Sequence, residues 1–348
     1  MKKALIAMSG GVDSSVAAYL MQQNGFSCAG AMMKLCESEQ AGNAEDARKV
    51  AEKLNMDFYV FDHTADFQKC VVDAFVRCYE EGGTPNPCVD CNRCLKFGAL
   101  LDRALSMGFD CIATGHYAVI KKDEKTGRYL LSRAADKSKD QTYFLACLTQ
   151  QQLKHIHFPL GQISKEQARQ IAEDQGFQNA KKKDSQDICF IPDGDYLFFM
   201  KRYTGKQYPQ GDFLDMDGKV VGKHNGAVGY TIGQRKGLGL AMGEPVYVCH
   251  KDMEKNTVTV GDNESLFRRQ LRANNFNWIS IEKLTAPMQV TAKVRYRHIE
   301  QPATVYPEEN GFVRVEFETP QRAITTGQAV VLYHGDTVVG GGTITEVL

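Results

Sequence analysis

Two stretches of the chain hold residues whose types and spacing suit chemistry. The first is Ser9-Gly10-Gly11-Val12-Asp13-Ser14-Ser15. Adjacent glycines permit a sharp turn, and an apolar helical pattern opens directly after them. Unpaired N–H groups and the positive end of a helix dipole then converge on one point, which suits phosphate. Ser9, Ser14 and Ser15 are expected to add hydroxyl donors, and Asp13 a carboxylate. A serine-capped glycine turn is the plainer alternative. The stretch is neither a Walker A loop, since no Lys-Ser/Thr follows at the required spacing, nor a GxGxxG turn. The second stretch is Thr84-Pro85-Asn86-Pro87-Cys88-Val89-Asp90-Cys91-Asn92-Arg93-Cys94. Its prolines are expected to hold the start extended, with a helix beginning near Asn92. Cys88 and Cys91 would then lie ahead of the helix, near its positive end, where a thiol has a lowered pKa and is a better nucleophile or metal ligand. Cys94 shares a three-and-four spacing with Phe97, Leu101 and Leu105 and reads as a packed residue. The C-x2-C-x2-C spacing is also part of what zinc and iron–sulfur sites use, but it needs a distant ligand. Cys189, between Ile188 and Phe190, is a distant thiol, with a core strand cysteine as the plainer alternative; Lys181-Lys182-Lys183 ahead of it reads as a solvated face.

The elements that must position these groups follow from periodicity. The chain has 348 residues, which implies two or three domains, and 43% hydrophobic content supplies their cores. Its 42 basic and 42 acidic residues balance, so any nucleic-acid contact needs a local basic patch. The start lacks a secretory pattern, and the sequence lacks an apolar run of membrane-spanning length; the chain is expected to be cytoplasmic, without a membrane partner, its 11 cysteines mostly reduced. Over residues 1–110, strands (Lys3 to Met8, Phe26 to Leu35, Asp57 to Phe61, Phe109 to Thr114) alternate with helices (Val16 to Met21, closed by Asn24-Gly25; Asn43 to Leu54; Ala65 to Tyr79; Leu95 to Leu105). That order predicts a parallel sheet covered on both faces, with ligands at the carboxyl ends of the strands. Ser9, Lys34 and Gly115-His116 would share that crevice. Ser164-Lys165-Glu166-Gln167 is a capping box. From about residue 197 helical periodicity fades and glycines multiply, with Asp217-Gly218 a hairpin turn. From Leu271 onward strands alternate with turns, which predicts a β-barrel. Lys293, Arg295 and Arg297 alternate along an expected strand from Gln289 to His298, so they would face one way and track phosphates; Arg235-Lys236, in the loop from Gly233 to Gly239, would add a further contact.

The glycine heptad resembles the PP-loop of ATP pyrophosphatases, SGGxDS, which split ATP to AMP and pyrophosphate. Taken in order, SGGVDSS, GTPNPCVDCNRCLKFG, ATGHYA, KDQTYFL, FPLG, DSQDICFI and GYTIGQRKGLGL resemble the bacterial tRNA-specific 2-thiouridylase family over nearly the whole chain. The resemblance implies an α/β chain: a parallel-sheet PP-loop domain of the adenine nucleotide alpha hydrolase kind over 1–196, a small central domain over 197–268, and a C-terminal β-barrel over 269–348 that contacts tRNA. It implies ATP and magnesium as cofactors, tRNA as partner, and a sulfur donor, whether a cysteine desulfurase, a relay protein or free sulfide. The reaction implied is adenylation of the C2 oxygen of the wobble uridine, then sulfur transfer to C2. Matched by motif position, Cys91 is the nucleophile and Cys189 carries the persulfide. Ala7, Met8, Ser9, Gly10, Gly11, Val12, Asp13, Ser14, Met33 and Gly115 contact the nucleotide. Asn86, Pro87 and Cys88 hold the target base. His116, Lys139, Asp140, Gln141, Tyr296, Arg297 and Gln328 contact tRNA. Many family members carry aspartate where this chain has Cys88. That keeps a second route open, in which Cys88, Cys91 and Cys189 ligate an iron–sulfur (4Fe–4S) cluster that presents sulfide; the first route joins Cys91 and Cys189 in a disulfide. Rival readings are another PP-loop synthetase, which leaves the cysteines and the barrel unexplained, and a non-catalytic RNA-binding iron–sulfur protein, which the intact PP-loop opposes.

Overall fold

The computed structural model describes residues 1–36, 41–182 and 188–348. Lys183 and the Asp184-Ser185-Gln186-Asp187 part of DSQDICFI lie outside them. Strand β1 (Lys3–Ala7) leads into helix α1 (Val12–Gln23), β2 (Ser27–Lys34), α2 (Ala41–Lys53), β3 (Phe58–Asp62) and α3 (Asp73–Glu80). β4 (Cys111–Ala113) follows, then a hairpin, β5 (Val119–Lys122) and β6 (Tyr129–Ser132), then β7 (Ile156–His157). β1–β4 and β7 form the expected parallel sheet in the order β3-β2-β1-β4-β7. Alternation along β1 explains its continuous apolar run. Ala4 and Ile6 enter one core with Val16 and Ala47, while Leu5 enters the opposite one with Phe97 and Ile112. α1 ends as Asn24-Gly25 suggests: Gly25 has φ +80° and the Phe26 N–H reaches back to the Met21 carbonyl at 3.2 Å.

The cysteine stretch differs from expectation. Its helix starts at Pro87 rather than near Asn92: α4 (Pro87–Cys91) has Asn86 as N-cap and proline at its first turn, where the missing N–H has no intrahelical partner to lose. It continues as a π-helix over Asn92–Ala99 and then as a last α-helical stretch, Leu100–Ser106. The wider π-turn changes the register. Leu95, Phe97, Leu100, Leu101 and Ala104 are buried, Cys94 is half-buried and Leu105 is 37% exposed, so Cys94, Phe97, Leu101 and Leu105 do not form one buried stripe.

Helical structure also persists past residue 197. α5 (Tyr196–Thr204) is capped by the Asp195 carboxylate on the Phe198 N–H at 2.9 Å, and its Met200 packs on Phe75, Val76 and Tyr79. Beyond it, β8 (Gly211–Leu214) and β9 (Val220–His224) form the hairpin that Asp217-Gly218 announces. β10 (Tyr247–Asp252) and β11 (Thr257–Gly261) complete a four-stranded sheet.

The last six strands are β12 (Phe267–Trp278), β13 (Met288–Lys293), β14 (Gln301–Pro307), β15 (Val313–Arg322), β16 (Ala329–His334) and β17 (Thr337–Val347). They close an antiparallel barrel through the β12–β17 pairing. β13 stops at Lys293, and a turn with the His298 N–H on the Arg295 carbonyl follows at 3.1 Å. Lys293, Arg295 and Arg297 therefore do not alternate along one strand. The hairpin β5–β6, which no sequence pattern announced, extends the barrel sheet by pairing Ser132 with Thr337. Arg128, at the end of its connecting turn, donates to the Trp278 and Ile279 carbonyls at 2.9 Å each. Among the described residues no helix is long and apolar enough to cross a membrane.

Candidate active site

The sheet reverses its order at β1, with β2 and β3 on one side and β4 and β7 on the other. Such a reversal opens a crevice at the carboxyl ends of the strands, and the glycine heptad lies there. Gly10 has φ +72°, and a Cβ on it would lie 2.3 Å from the Asn43 carbonyl oxygen. A Cβ on Gly115 would lie 2.7 Å from the Asp13 carbonyl carbon, so the loop after β4 rests on the first turn of α1. Met8 and Val12 are buried, which leaves their backbone for any ligand. The Ser14 and Ser15 hydroxyls both donate to the Gly11 carbonyl at 3.0 Å. They brace the turn rather than point outward as expected; Ser9 is exposed.

Three residues to which the sequence reading assigned no role hold this loop. Asn179 donates from Nδ2 to the Gly10 carbonyl at 3.0 Å and to Ser15 Oγ at 2.9 Å. Lys165 Nζ lies 2.8 Å from both carboxylate oxygens of Asp13. The Tyr117 hydroxyl donates to Asp13 Oδ1 at 2.9 Å. Tyr117 is held in turn by Gln141, whose N–H donates to the Tyr117 carbonyl and whose Oε1 accepts from the Tyr117 N–H, both at 2.9 Å. Lys182, expected on a solvated face, instead bonds Asn43 Oδ1 and Asp46 Oδ2 at 2.8 Å each. The only sequence signals for these partners were the ATGHYA and KDQT motifs around Tyr117 and Gln141.

Cys88 and Cys91 lie on α4, and Cys189 comes from a separate turn. Cys91 is 8% exposed and packs on Phe67, Val71, Val72 and Leu95, while Cys88 is exposed. Cys189 is exposed and lies in a turn, not a core strand; the Phe190 ring beside it packs edge-on against Phe67 and Phe75 at 5.5 and 5.3 Å. Burial raises the pKa of Cys88 and of Cys91, with Lys96 opposing it in both. The Cys189 thiol is pushed up to about 12 by desolvation, then by Cys91 and Cys88, again against Lys96. The expected lowering does not occur: at Cys88, in the first turn, desolvation outweighs the helix end, and for Cys91 the helix starts too early. Cys91 sits a full turn inside the helix, where the dipole has faded and desolvation decides. All three thiols are free. Among the described residues no three Cys, His, Asp or Glu side chains converge to hold a single metal ion, while Cys189 lies close enough to Cys91 and Cys88 for their charges to interact.

The residues matched to base and tRNA surround these two loops. Asn86 caps α4 and Pro87 is buried behind it. Gln328, in the barrel, donates from Nε2 to the Thr84 and Pro85 carbonyls at 3.0 and 3.1 Å. His116 sits between the Phe97 and Phe158 rings with Nδ1 2.7 Å from Thr114 Oγ1, and burial lowers its pKa well below 6.5, so its imidazole is neutral. Asp140 accepts from the Ala134 N–H and the Thr142 hydroxyl, and burial raises its pKa. Tyr296 packs one face on Phe144 at 4.5 Å, Lys139 is half-buried and Arg297 is exposed. Met33 packs beside Phe67 and Cys91. A cleft of about 630 Å³ opens between α4 and the barrel, lined by Pro85, Asn86, Asp90, Asn275 and Thr343.

Comparison with known proteins gives three consecutive family matches: a tRNA methyl transferase HUP domain over residues 2–193, a tRNA methyl transferase PRC-barrel domain over 198–262, and an aminomethyltransferase beta-barrel domain over 268–344. The chain is 48% identical over 357 residues to the tRNA-specific 2-thiouridylase MnmA of Acetivibrio thermocellus, covering 99% of each chain. It is 46% identical over 357 residues to the protein of the same name from Clostridioides difficile, covering 100% of this chain and 99% of the relative. Among solved structures, a 4-thiouridine synthetase in complex with RNA and ATP is 16% identical, with a TM-score of 0.35 over 55% of this chain and 45% of that one.

Proposed function

Because this chain belongs to the tRNA-specific 2-thiouridylase family, and is a tRNA-uridine 2-sulfurtransferase, we propose that it activates the C2 oxygen of the wobble uridine with ATP and replaces it with a sulfur carried on Cys189. The observation that carries this reading is the placement of two chemistries on neighbouring strand ends: a phosphate-type loop at the carboxyl end of β1, and an interacting thiol set of Cys88, Cys91 and Cys189 whose Cys91 packs with Met33 near the carboxyl end of β2. Thiols at the crevice favour sulfur transfer over the methyl transfer in the family-model descriptions. We take 1–196 as the catalytic unit, 197–268 as the central one and 269–348 as the barrel that meets tRNA.

In this mechanism the amino end of α1 and the backbone from Ala7 to Ser14 hold the triphosphate, with Met33 and Gly115 against the nucleotide. Asp13 faces the phosphates from the first turn of α1 with both oxygens held by Lys165, and magnesium would supply neutralising charge to the departing pyrophosphate. The uridine leaves its stack and is held by Asn86, Pro87 and Cys88. His116, Lys139, Asp140, Gln141, Tyr296, Arg297 and Gln328 contact or frame the tRNA. The C2 oxygen attacks the α-phosphorus and pyrophosphate departs. The terminal sulfur of a Cys189 persulfide bonds to C2. The Cys91 thiolate then attacks Cys189 Sγ and forms the Cys91–Cys189 disulfide; the S–S electron pair stays on the transferred sulfur, and AMP leaves as C2=S forms. An external thiol reduces the disulfide before the next turnover. The persulfide route needs two thiols, whereas the cluster route would use Cys88, Cys91 and Cys189 together.

The test is nucleoside mass analysis of tRNA after incubation with ATP, magnesium, a reductant and a sulfur donor. Formation of 2-thiouridine, lost in Cys189→Ser and in Cys91→Ser but kept in Cys88→Ser, is the expected result. Loss of activity together with iron in Cys88→Ser after anaerobic purification would replace the persulfide with the cluster.

A further inference from the structure

We infer that Lys165 is a positioning residue of the nucleotide site, keeping Asp13 aimed and charge-compensated so that the amino end of α1 accepts a polyphosphate. The inference rests on the reading of that loop as an ATP site. Asp13 is the second residue of α1, beside the N–H groups that would face phosphate. A carboxylate there without a counter-charge repels the ligand that those N–H groups attract. Lys165 removes the repulsion with an ammonium 2.8 Å from each carboxylate oxygen. Its side chain is 8% exposed against 30% for Asp13, so the cation lies behind the carboxylate, on the protein side of the crevice.

The placement of Lys165 makes little sense as helix chemistry. It is the first residue of α6 (Lys165–Asp174), directly after the N-cap Ser164. A cation at a helix amino end opposes the dipole, and burying one adds a desolvation cost that only a close partner offsets. Other groups already anchor this helix end. Ser164 and Gln167 form a full capping box, and the Lys165 N–H donates to Asp136 Oδ2 at 3.1 Å. The side chain is therefore not needed to start the helix. The Tyr117 hydroxyl on Oδ1 fixes the same carboxylate from a second side, which leaves Asp13 one orientation.

A double-mutant cycle in the full-length protein separates this role from a mere tie between α1 and α6. ATP affinity is measured by titration calorimetry across a series of magnesium concentrations, beside a thermal melt without nucleotide, for the wild type, Lys165→Met, Lys165→Arg, Asp13→Asn and the Asp13→Asn/Lys165→Met pair. Lys165→Met should bind ATP at least about tenfold more weakly and need more magnesium, because an uncompensated carboxylate then faces the phosphates. The double variant should regain most of the affinity, and Lys165→Arg should stay within a few-fold of the wild type. Should Lys165→Met fail to fold, comparison of Asp13→Asn with the double variant reads the same coupling. ATP binding in Lys165→Met that matches the wild type at every magnesium concentration overturns the inference, as does a double variant no better than Lys165→Met. A wild type that binds no ATP overturns the reading of the loop itself.

Discussion

At the scale of single residues, position 10 admits only glycine for two separate reasons. Its φ of +72° is strained for any other residue, and a Cβ would lie 2.3 Å from the Asn43 carbonyl oxygen. Gly10→Ala must therefore move α2 or flatten the loop. It should lower stability by about 2 kcal/mol or more and abolish ATP binding, read by thermal melt and titration. The thiols allow a pH prediction. Cys91 and Cys189 are raised above the ordinary thiol value of 9.0, the latter to about 12. Both are protonated at neutral pH, and their thiolate fraction grows with pH. Iodoacetamide labelling of Cys189, followed by peptide mass analysis, should accelerate about tenfold per pH unit from 7 to 9 without levelling off. A plateau below pH 8 would show a thiol activated in the resting enzyme. The raised values suit a resting state that is inert to stray electrophiles; in the proposed route, a persulfide on Cys189 would be more acidic than the thiol it replaces.

At the scale of elements, the α4 segment and the barrel form one working unit. Gln328 precedes β16 and holds the Thr84 and Pro85 carbonyls, the Thr84 N–H donates to the Thr326 carbonyl at 2.8 Å, and Gly327 lies so close that a Cβ would meet Cys78 Sγ at 2.5 Å. These contacts fix the two residues ahead of Asn86, hence the start of α4 and the aim of Cys88 and Cys91. Gln328→Leu leaves both carbonyls without that donor. It should cost about 1–3 kcal/mol of stability and lower the thiolation rate while ATP affinity stays unchanged. A fall in ATP affinity equal to the fall in rate would mean that the barrel supports the phosphate loop instead. Cys94 packs against the same Phe67–Leu95 core as Cys91 and interacts with Cys70.

At the scale of the whole molecule, the neutral net charge confines any phosphate recognition to local features, such as the turn after β13 that exposes Arg297. The three parts of the chain are also joined by specific polar contacts. Arg128 and Asn277 bind the hairpin and the segment 146–148 to the barrel, and Lys251 of β10 lies over the Tyr79 ring at 5.9 Å. Lys251 is 8% exposed, donates to the Tyr230 carbonyl at 2.8 Å, and burial lowers its pKa from 10.5 to about 8. Between those two values the unfolded chain binds more protons than the folded one, so this residue makes stability rise with pH. Below pH 8 both forms carry the proton and the desolvation cost is complete. The stability of the wild type relative to Lys251→Met should therefore increase from pH 8 to pH 10, by at most about 1.4 kcal/mol per unit. Equal pH profiles from denaturant melts would show that the ammonium is hydrated in the folded state.

What the sequence determined by itself is local or periodic. The turn at Gly10-Gly11, the cap at Asn24-Gly25, the box at Ser164, the hairpin at Asp217-Gly218 and the alternation of strand and helix each depend on neighbours within a few residues, and the ordered motifs were enough to point to the family. Tertiary structure alone decided the ionisation of the thiols, since desolvation comes from Phe67, Val71 and Phe190 rather than from the helix that carries Cys91. It alone brought Lys165 across 152 positions to Asp13 and drew the hairpin β5–β6 into the barrel sheet. It also ended β13 before Arg295 and Arg297, whose alternation mimics a strand. A pattern of side chains reports which face of an element is buried; charge pairing and acidity depend on what is folded against that face, and those partners lie too far along the chain for any local spacing to encode.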